Sequence, residues 1–264
     1  NISTYKNKVL SLGGGTNIPG KTHLGNQVNT MIEPGKPIGY FYGYKMDGVF
    51  QTQEEINNYR GGPDNTIIMP TAEPGDLKFV DLNGDGKLGE EDRTMIGNPH
   101  PDFTFGLTLS GEYKGFDLSM FFQGSVGNDI LNILKYDIYS GTGWYNAPKD
   151  IFDKFWTGPG STNENFAISA NSRDNLTMSE WYVENGSYVR LKNVTLGYTF
   201  PKQWVQKLTV QNLRLFVAAQ NLFTITSYSG LDPELGNSNP AFMGIDMGWY
   251  PQARSFMVGL SLKL

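Results

Sequence analysis

The chain has no cysteine. That removes disulfides, thiolate metal sites and cysteine nucleophiles together. Histidine is nearly absent too, with His23 and His100 the only two. Both sit in Gly/Pro-rich contexts and read as surface-loop residues. No apolar run approaches the roughly 18 residues that a spanning helix needs, which excludes helical membrane insertion. There is no long basic run, and the net charge is −5, so nucleic acid is not an expected partner. Asn1 opens the sequence without an initiator Met or a signal-peptide pattern, so the chain reads as a fragment or processed piece of a longer protein. A low apolar content, 39%, does not exclude a transmembrane barrel, because barrel strands turn only alternate residues to lipid.

What is present is alternation. At the end of the chain Phe256, Val258, Leu260, Leu262 and Leu264 are apolar, while Ser255, Met257, Gly259, Ser261 and Lys263 between them are mostly small or polar. That two-residue period belongs to a strand with one apolar and one polar face. Four more segments repeat it: Asp102–Tyr113, Gly115–Gly124, Ser187–Phe200 and Asn212–Thr226. Each approaches the 9–11 residues or so that a tilted strand needs to cross a bilayer. The first two should form a tight hairpin. Short connections alternate with long ones, about 125–186 and 228–252, the layout of an outer-membrane barrel with its long loops outside the cell. A helix is expected near Asp129–Tyr139. Lys36–Phe50 and Ile2–Leu12 read as further strands, for about seven in all. Seven is too few to close a wide barrel. Tyr198, Phe200 and Trp204 at one end, and Tyr136, Tyr139, Trp249 and Tyr250 at the other, resemble two interface girdles. A soluble β-sandwich or jelly roll also alternates. A secreted, calcium-stabilised β-sandwich binding module therefore stands as the alternative.

One motif is specific. Asp81, Asn83 and Asp85 at positions 1, 3 and 5, Gly86 at 6 and Asp92 at 12 match the EF-hand-type calcium loop, with the Lys87 carbonyl as a further oxygen. Alternate side chains converge on one point and Gly86 permits the sharp turn. Asp at position 12 has less reach than Glu, so weaker binding is expected, and a metal-free Asx-turn loop is the other reading. Catalysis has little support. No Gly-x-Ser-x-Gly elbow occurs, and Gly13–Gly20 lacks the Lys-Ser/Thr of a phosphate loop. The pairs Glu54/Glu55 and Glu90/Glu91 read as solvated charges. The aromatic pairs Trp144-Tyr145, Trp181-Tyr182 and Trp249-Tyr250 suit stacking on sugar rings or, more simply, anchoring and loop packing. No enzyme is expected.

Four stretches taken together resemble the C-terminal part of the SusC/RagA family of TonB-dependent outer-membrane transporters. They run from Pro37 to Ile56 (PIGYFYGYKMDGVFQTQEEI), Gly75 to Gly106 (GDLKFVDLNGDGKLGEEDRTMIGNPHPDFTFG), Tyr188 to Pro201 (YVRLKNVTLGYTFP) and Leu213 to Glu234 (LRLFVAAQNLFTITSYSGLDPE). The segment from Tyr250 to Leu264 fits as well. The resemblance implies an all-β fold, the antiparallel C-terminal part of a 22-stranded plugged barrel. It implies import of oligosaccharides or peptides across the outer membrane of a Gram-negative bacterium, a SusD-like lipoprotein lid, and energy from TonB through a plug that these residues do not include. The remaining N-terminal barrel and plug, and outer-membrane lipid, are then partners. The whole of 1–264 is expected to be barrel, with the calcium-type motif in an outer loop over 75–98. A porin without a plug is a further alternative.

Overall fold

The computed structural model describes residues 1–21, 27–139, 146–168, 174–205, 210–236 and 239–263. Five short strands come first: β1 (Ile2–Ser3), β2 (Ile18–Lys21), β3 (Val28–Ile32), β4 (Tyr40–Tyr44) and β5 (Met46–Val49). The helix α1 (Gln53–Asn58) follows, capped by Thr52, whose side chain accepts from the Glu55 N–H. Four more short strands lead to the first long one: β6 (Arg60–Gly61), β7 (Thr66–Ile67), β8 (Leu77–Phe79) and β9 (Arg93–Gly97). The hairpin β10 (Phe103–Tyr113) and β11 (Phe116–Val126) is next, then β12 (Asp129–Asn132), α2 (Leu134–Tyr139), α3 (Ile151–Lys154) and β13 (Val183–Asn185). The chain ends with β14 (Tyr188–Thr199), α4 (Lys202–Val205), β15 (Asn212–Thr226), β16 (Ile245–Asp246) and β17 (Ser255–Lys263).

These elements form two parts. The first is a wall, a six-stranded sheet in the order β1-β10-β11-β14-β15-β17, antiparallel throughout. Tyr113 pairs with Phe116 across a two-residue turn. Both turn residues, Lys114 and Gly115, have positive φ, 48° and 88°, which is the type I′ geometry that suits strand twist. Register puts Leu118 opposite Leu196, Leu196 opposite Val217, and Val217 opposite Val258. This row crosses the sheet on one face. It stays open to the surroundings, with Leu196 44% and Val258 73% exposed. An apolar sheet face of this extent with nothing packed on it is the face a barrel turns to lipid. The opposite face carries Thr108, Ser110, Asp117, Ser119, Thr195 and Ser261, the polar lining of a lumen. Phe116 and Tyr198 (ring centroids 4.6 Å apart), Phe200 (5.0 Å from Tyr198) and Trp204 (6.5 Å from Phe200) form an aromatic cluster at the short-turn end. That cluster fits an interface girdle.

The second part is a layer at the long-loop end. Its core joins Phe41, Tyr44, Val49, Leu77 and Phe79 from the β4–β8 region to Leu131, Phe155, Phe166, Met178, Trp181 and Tyr182 from the long loop, with Ile245. The buried apolar side chains of the chain thus lie mainly outside the wall, where water rather than lipid is the solvent to be escaped. Among the described residues no helix is long and apolar enough to cross a membrane.

Several expectations change here. Lys36–Phe50 is not a wall strand. Its residues form β4, which pairs with β9, and β5, which pairs with β8, because Tyr40 and Phe41 bury in the layer (1% and 0% exposed) instead of facing lipid. Ile2–Leu12 contributes the two residues of β1, so among the described residues the wall has six strands. Asp129–Tyr139 splits into β12 and the short α2. Tyr136 and Tyr139 pack on the layer core. Leu264, His23, Trp144 and Tyr145 lie outside the described residues.

Candidate functional site

The Asp81–Asp92 loop sits in the layer, between β8 and β9. Its side chains fold back on the backbone. Asp81 accepts from the N–H groups of Gly84 (2.7 Å) and Gly86 (2.8 Å), Asn83 from Asp85 (2.8 Å) and Asp85 from Lys87 (2.9 Å). Asp92 is fully buried and accepts from Leu82 (2.8 Å), Asn83 (3.2 Å) and Gly89 (2.7 Å). These are the Asx-type bonds by which Asp and Asn shape turns. Gly86 has φ +86°, and a Cβ there would collide with the Gly61 carbonyl. The loop is therefore pressed onto the β6–β7 hairpin, where the Thr66 hydroxyl donates to the Gly86 carbonyl at 2.9 Å. The donor set is all oxygen, which fits a hard cation. Among the described residues, however, no group of three or more His, Asp or Glu side chains draws together closely enough to hold a metal ion. Asp92 directs both its oxygens at N–H groups.

The lumenal face of the wall carries two charge clusters. Near the short-turn end Arg214 grips Asp117 with two N–H groups, Nε at 2.8 Å and one terminal nitrogen. That is the fork-to-carboxylate geometry that suits guanidinium. Gly197, between them in the sheet, leaves the space the pair fills. Toward the long-loop end Arg190 is 3% exposed. It donates to Thr224 (2.7 Å), Glu234 (2.7 Å) and Asp232 (2.5 Å). A bulge at Lys192 interrupts the register on both sides of β14. It allows Lys192 to reach the same Glu234 at 2.8 Å, a re-aiming that bulges provide. Reading the sequence missed the role of this cluster. Its signal was two cations, Arg190 and Lys192, inside an otherwise alternating strand.

A cleft of about 480 Å³ lies in the layer, bordered by Asn132, Lys135, Tyr139, Asp150, Trp181 and Glu184 among others. Lys135 pairs with Glu184 at 2.9 Å and sits over the Trp181 ring at 5.0 Å. Burial alone would push the Glu184 carboxyl up, but the Lys135 ammonium and the Ser229 N–H and hydroxyl hold it below its usual range. The Tyr139 phenol is pushed up to about 12 by burial and the nearby Asp150. Trp181 is itself buried (6% exposed), with its N–H on Asn165, so it packs the loop and offers no stacking face. Tyr250, by contrast, is 90% exposed. His100 is not a surface residue: it is buried between the Tyr5 hydroxyl (3.2 Å) and the Ile38 carbonyl (2.8 Å). Tethering the approach to β10 to the first residues of the chain explains its burial.

No protein-family model matches the chain. Individual proteins do. TonB-dependent receptor P3 of Formosa agariphila is 37% identical over all of this chain and 26% of its own length. TonB-dependent receptor SusC of Bacteroides thetaiotaomicron is 28% identical over all of this chain and 24% of its own length. The chain thus spans about a quarter of the curated relatives it matches. Among solved structures, the RagAB peptide importer in its open-open state overlays 97% of this chain and 25% of its own with a TM-score of 0.68 and 20% identity. The closed-closed state gives the same TM-score with 21% identity. At that identity the overlay speaks for the fold, an antiparallel β-barrel wall with its loop layer. With wall, girdle, layer and relatives in agreement, the chain belongs to the SusC/RagA family of TonB-dependent outer-membrane receptors.

Proposed function

We propose that this chain forms about a quarter of a TonB-dependent importer: residues 1–264 supply barrel wall and outer loop layer to a receptor that takes up oligosaccharides or peptides. The observation that carries the reading is the two-faced wall, apolar toward lipid and mainly polar toward a lumen, continuous across the five long strands. Transport needs no covalent chemistry from these residues. A SusD-like lipoprotein as lid, and TonB acting through a plug, complete the proposal; the similarity to SusC and to the RagAB importer supports both. The test is uptake of labelled oligosaccharides and peptides by cells carrying the full-length receptor, with and without functional TonB. TonB-dependent accumulation of one class is the expected result, and equal accumulation in cells lacking the receptor would overturn it.

Calcium in the Asp81–Asp92 loop belongs to the same proposal. Its support is the oxygen-only donor set at positions 1, 3, 5 and 12. Held there through Asp81, Asn83, Asp85, the Lys87 carbonyl and Asp92, the ion would brace the loop by replacing part of its N–H bonding, since Asp92 would have to exchange bonds to Leu82, Asn83 and Gly89 for the ion. Adding a chelator to the purified receptor should lower its thermal stability and weaken capture of the lid lipoprotein. No change in either would remove calcium from the proposal.

A further inference from the structure

The segment from Tyr228 to Glu234 leaves the outer end of β15 and turns back onto the lumenal face of the wall. Register fixes which face this is: Arg190 pairs with Gln123 and with Thr224, both in the polar rows. The fold holds the segment by charge. Asp232 and Arg190 are 5% and 3% exposed and meet at 2.5 Å. Glu234 takes a second bond from Arg190 and two from Lys192 at 2.8 and 2.9 Å. The returning limb is tied at the same place, because the Gln252 N–H donates to Asp232 at 2.8 Å. One buried aspartate thus fastens both ends of a loop to one arginine. Simple packing of a loop does not need this. A desolvated ion pair costs much of what it returns unless its donors are met; here the loop's Asp232 and Glu234 meet the two terminal nitrogens of Arg190, and Thr224 of β15 meets Nε.

We propose that this segment is a fixed strap across the outer part of the lumen, that Arg190 is the positioning residue that latches it, and that the strap limits the size of solute able to pass. The proposal rests on the importer reading. It predicts a lumen that is narrow toward the cell exterior for a reason built into β14, independent of any lid. Bulky solute is excluded by one thickness of chain, and small solute passes beside it.

The test uses the purified full-length receptor, free of other reactive thiols, with Gln220→Cys as reporter. Gln220 is exposed, pairs with Asn193, and lies deeper along β15 than Thr224. Two thiol reagents are compared, a compact methanethiosulfonate and a maleimide carrying a polymer chain. The latch is released by Arg190→Gln, Asp232→Asn and Glu234→Gln together, so that neither member of the fully buried Arg190–Asp232 pair is left charged and alone; Lys192, whose side chain is 19% exposed, loses its carboxylate but keeps access to water. Expected is an unchanged rate for the compact reagent and a rate on the order of tenfold faster for the bulky one once the strap opens locally. Equal bulky-reagent rates with and without the latch would overturn the strap. Should the triple variant fail to reach the membrane, Glu234→Gln alone leaves Arg190 paired with Asp232 and should give an intermediate rate; the unaltered rate would again overturn it. Labelling does not depend on uptake. Faster labelling in a receptor that imports nothing therefore counts against the importer reading alone, and unchanged labelling in a receptor that imports counts against the strap alone.

Discussion

At the scale of single residues, the informative ones are those whose chemistry and backbone agree. Gly86 has a positive φ and a carbonyl where a Cβ would go. Gly86→Ala should therefore destabilise the layer by about 1–3 kcal/mol, read as a lower unfolding midpoint at constant denaturant slope. The same substitution at Gly84, whose φ is also positive but whose Cβ would meet nothing, should cost less. Glu184 supplies a pH prediction. Its folded pKa is held below its ordinary value of 4.5, so its pairing with Lys135 contributes fully above 4.5 and is lost as the pH falls through the lower, folded value. Hydrogen-exchange protection in β13 and in the Tyr228–Leu231 segment, taken relative to the intrinsic exchange rate at each pH, should fall below pH 4.5 in the native receptor, and Glu184→Gln should flatten that dependence. A flat profile in the unmodified receptor would contradict the assignment.

At the scale of elements, the wall was legible in the sequence and the layer was not. β10, β11, β14, β15 and β17 each advertise themselves by a two-residue period, because a lipid on one side and a lumen on the other impose opposite demands on successive residues. Tyr40–Tyr44 carries the same aromatic and glycine content, yet it packs on both faces in water, and nothing local distinguishes that from a membrane strand. The Arg190 cluster was hidden for a different reason. Its partners Asp232 and Glu234 are more than forty residues away in sequence, so only the fold brings them together. The acidic loop was legible as a motif, whereas the burial of Asp92 against the N–H groups of Leu82, Asn83 and Gly89 was not. For the wall itself, Leu196→Arg puts a charge in the middle of the row Leu118–Leu196–Val217–Val258. It should cost about 2–4 kcal/mol near the bilayer midplane and reduce the amount of receptor inserted in the outer membrane. Thr195→Lys, one residue away and facing the lumen, should insert normally. Equal insertion of the two would reverse the assignment of the faces.

At the scale of the whole molecule, the separation of wall and layer gives two stabilities in one chain. The wall depends on lipid or detergent for its apolar face, while the layer keeps its own core of Phe41, Phe79, Leu131, Phe166 and Tyr182. Unfolding of the receptor should then occur in two steps, in keeping with the failure of two-state behaviour in proteins with separate cores. Changing the detergent should shift the step followed by Trp204 at the girdle and leave that followed by buried Trp181 in place; a single coincident transition would show one cooperative unit. The layer has one more consequence. Its surface is assembled from segments far apart in sequence, since β4 joins β9 and β12 joins both β13 and β16. An antibody raised against the folded receptor would meet a composite, conformational epitope there, and antisera raised against peptides from any one loop should recognise the denatured chain far better than the folded receptor.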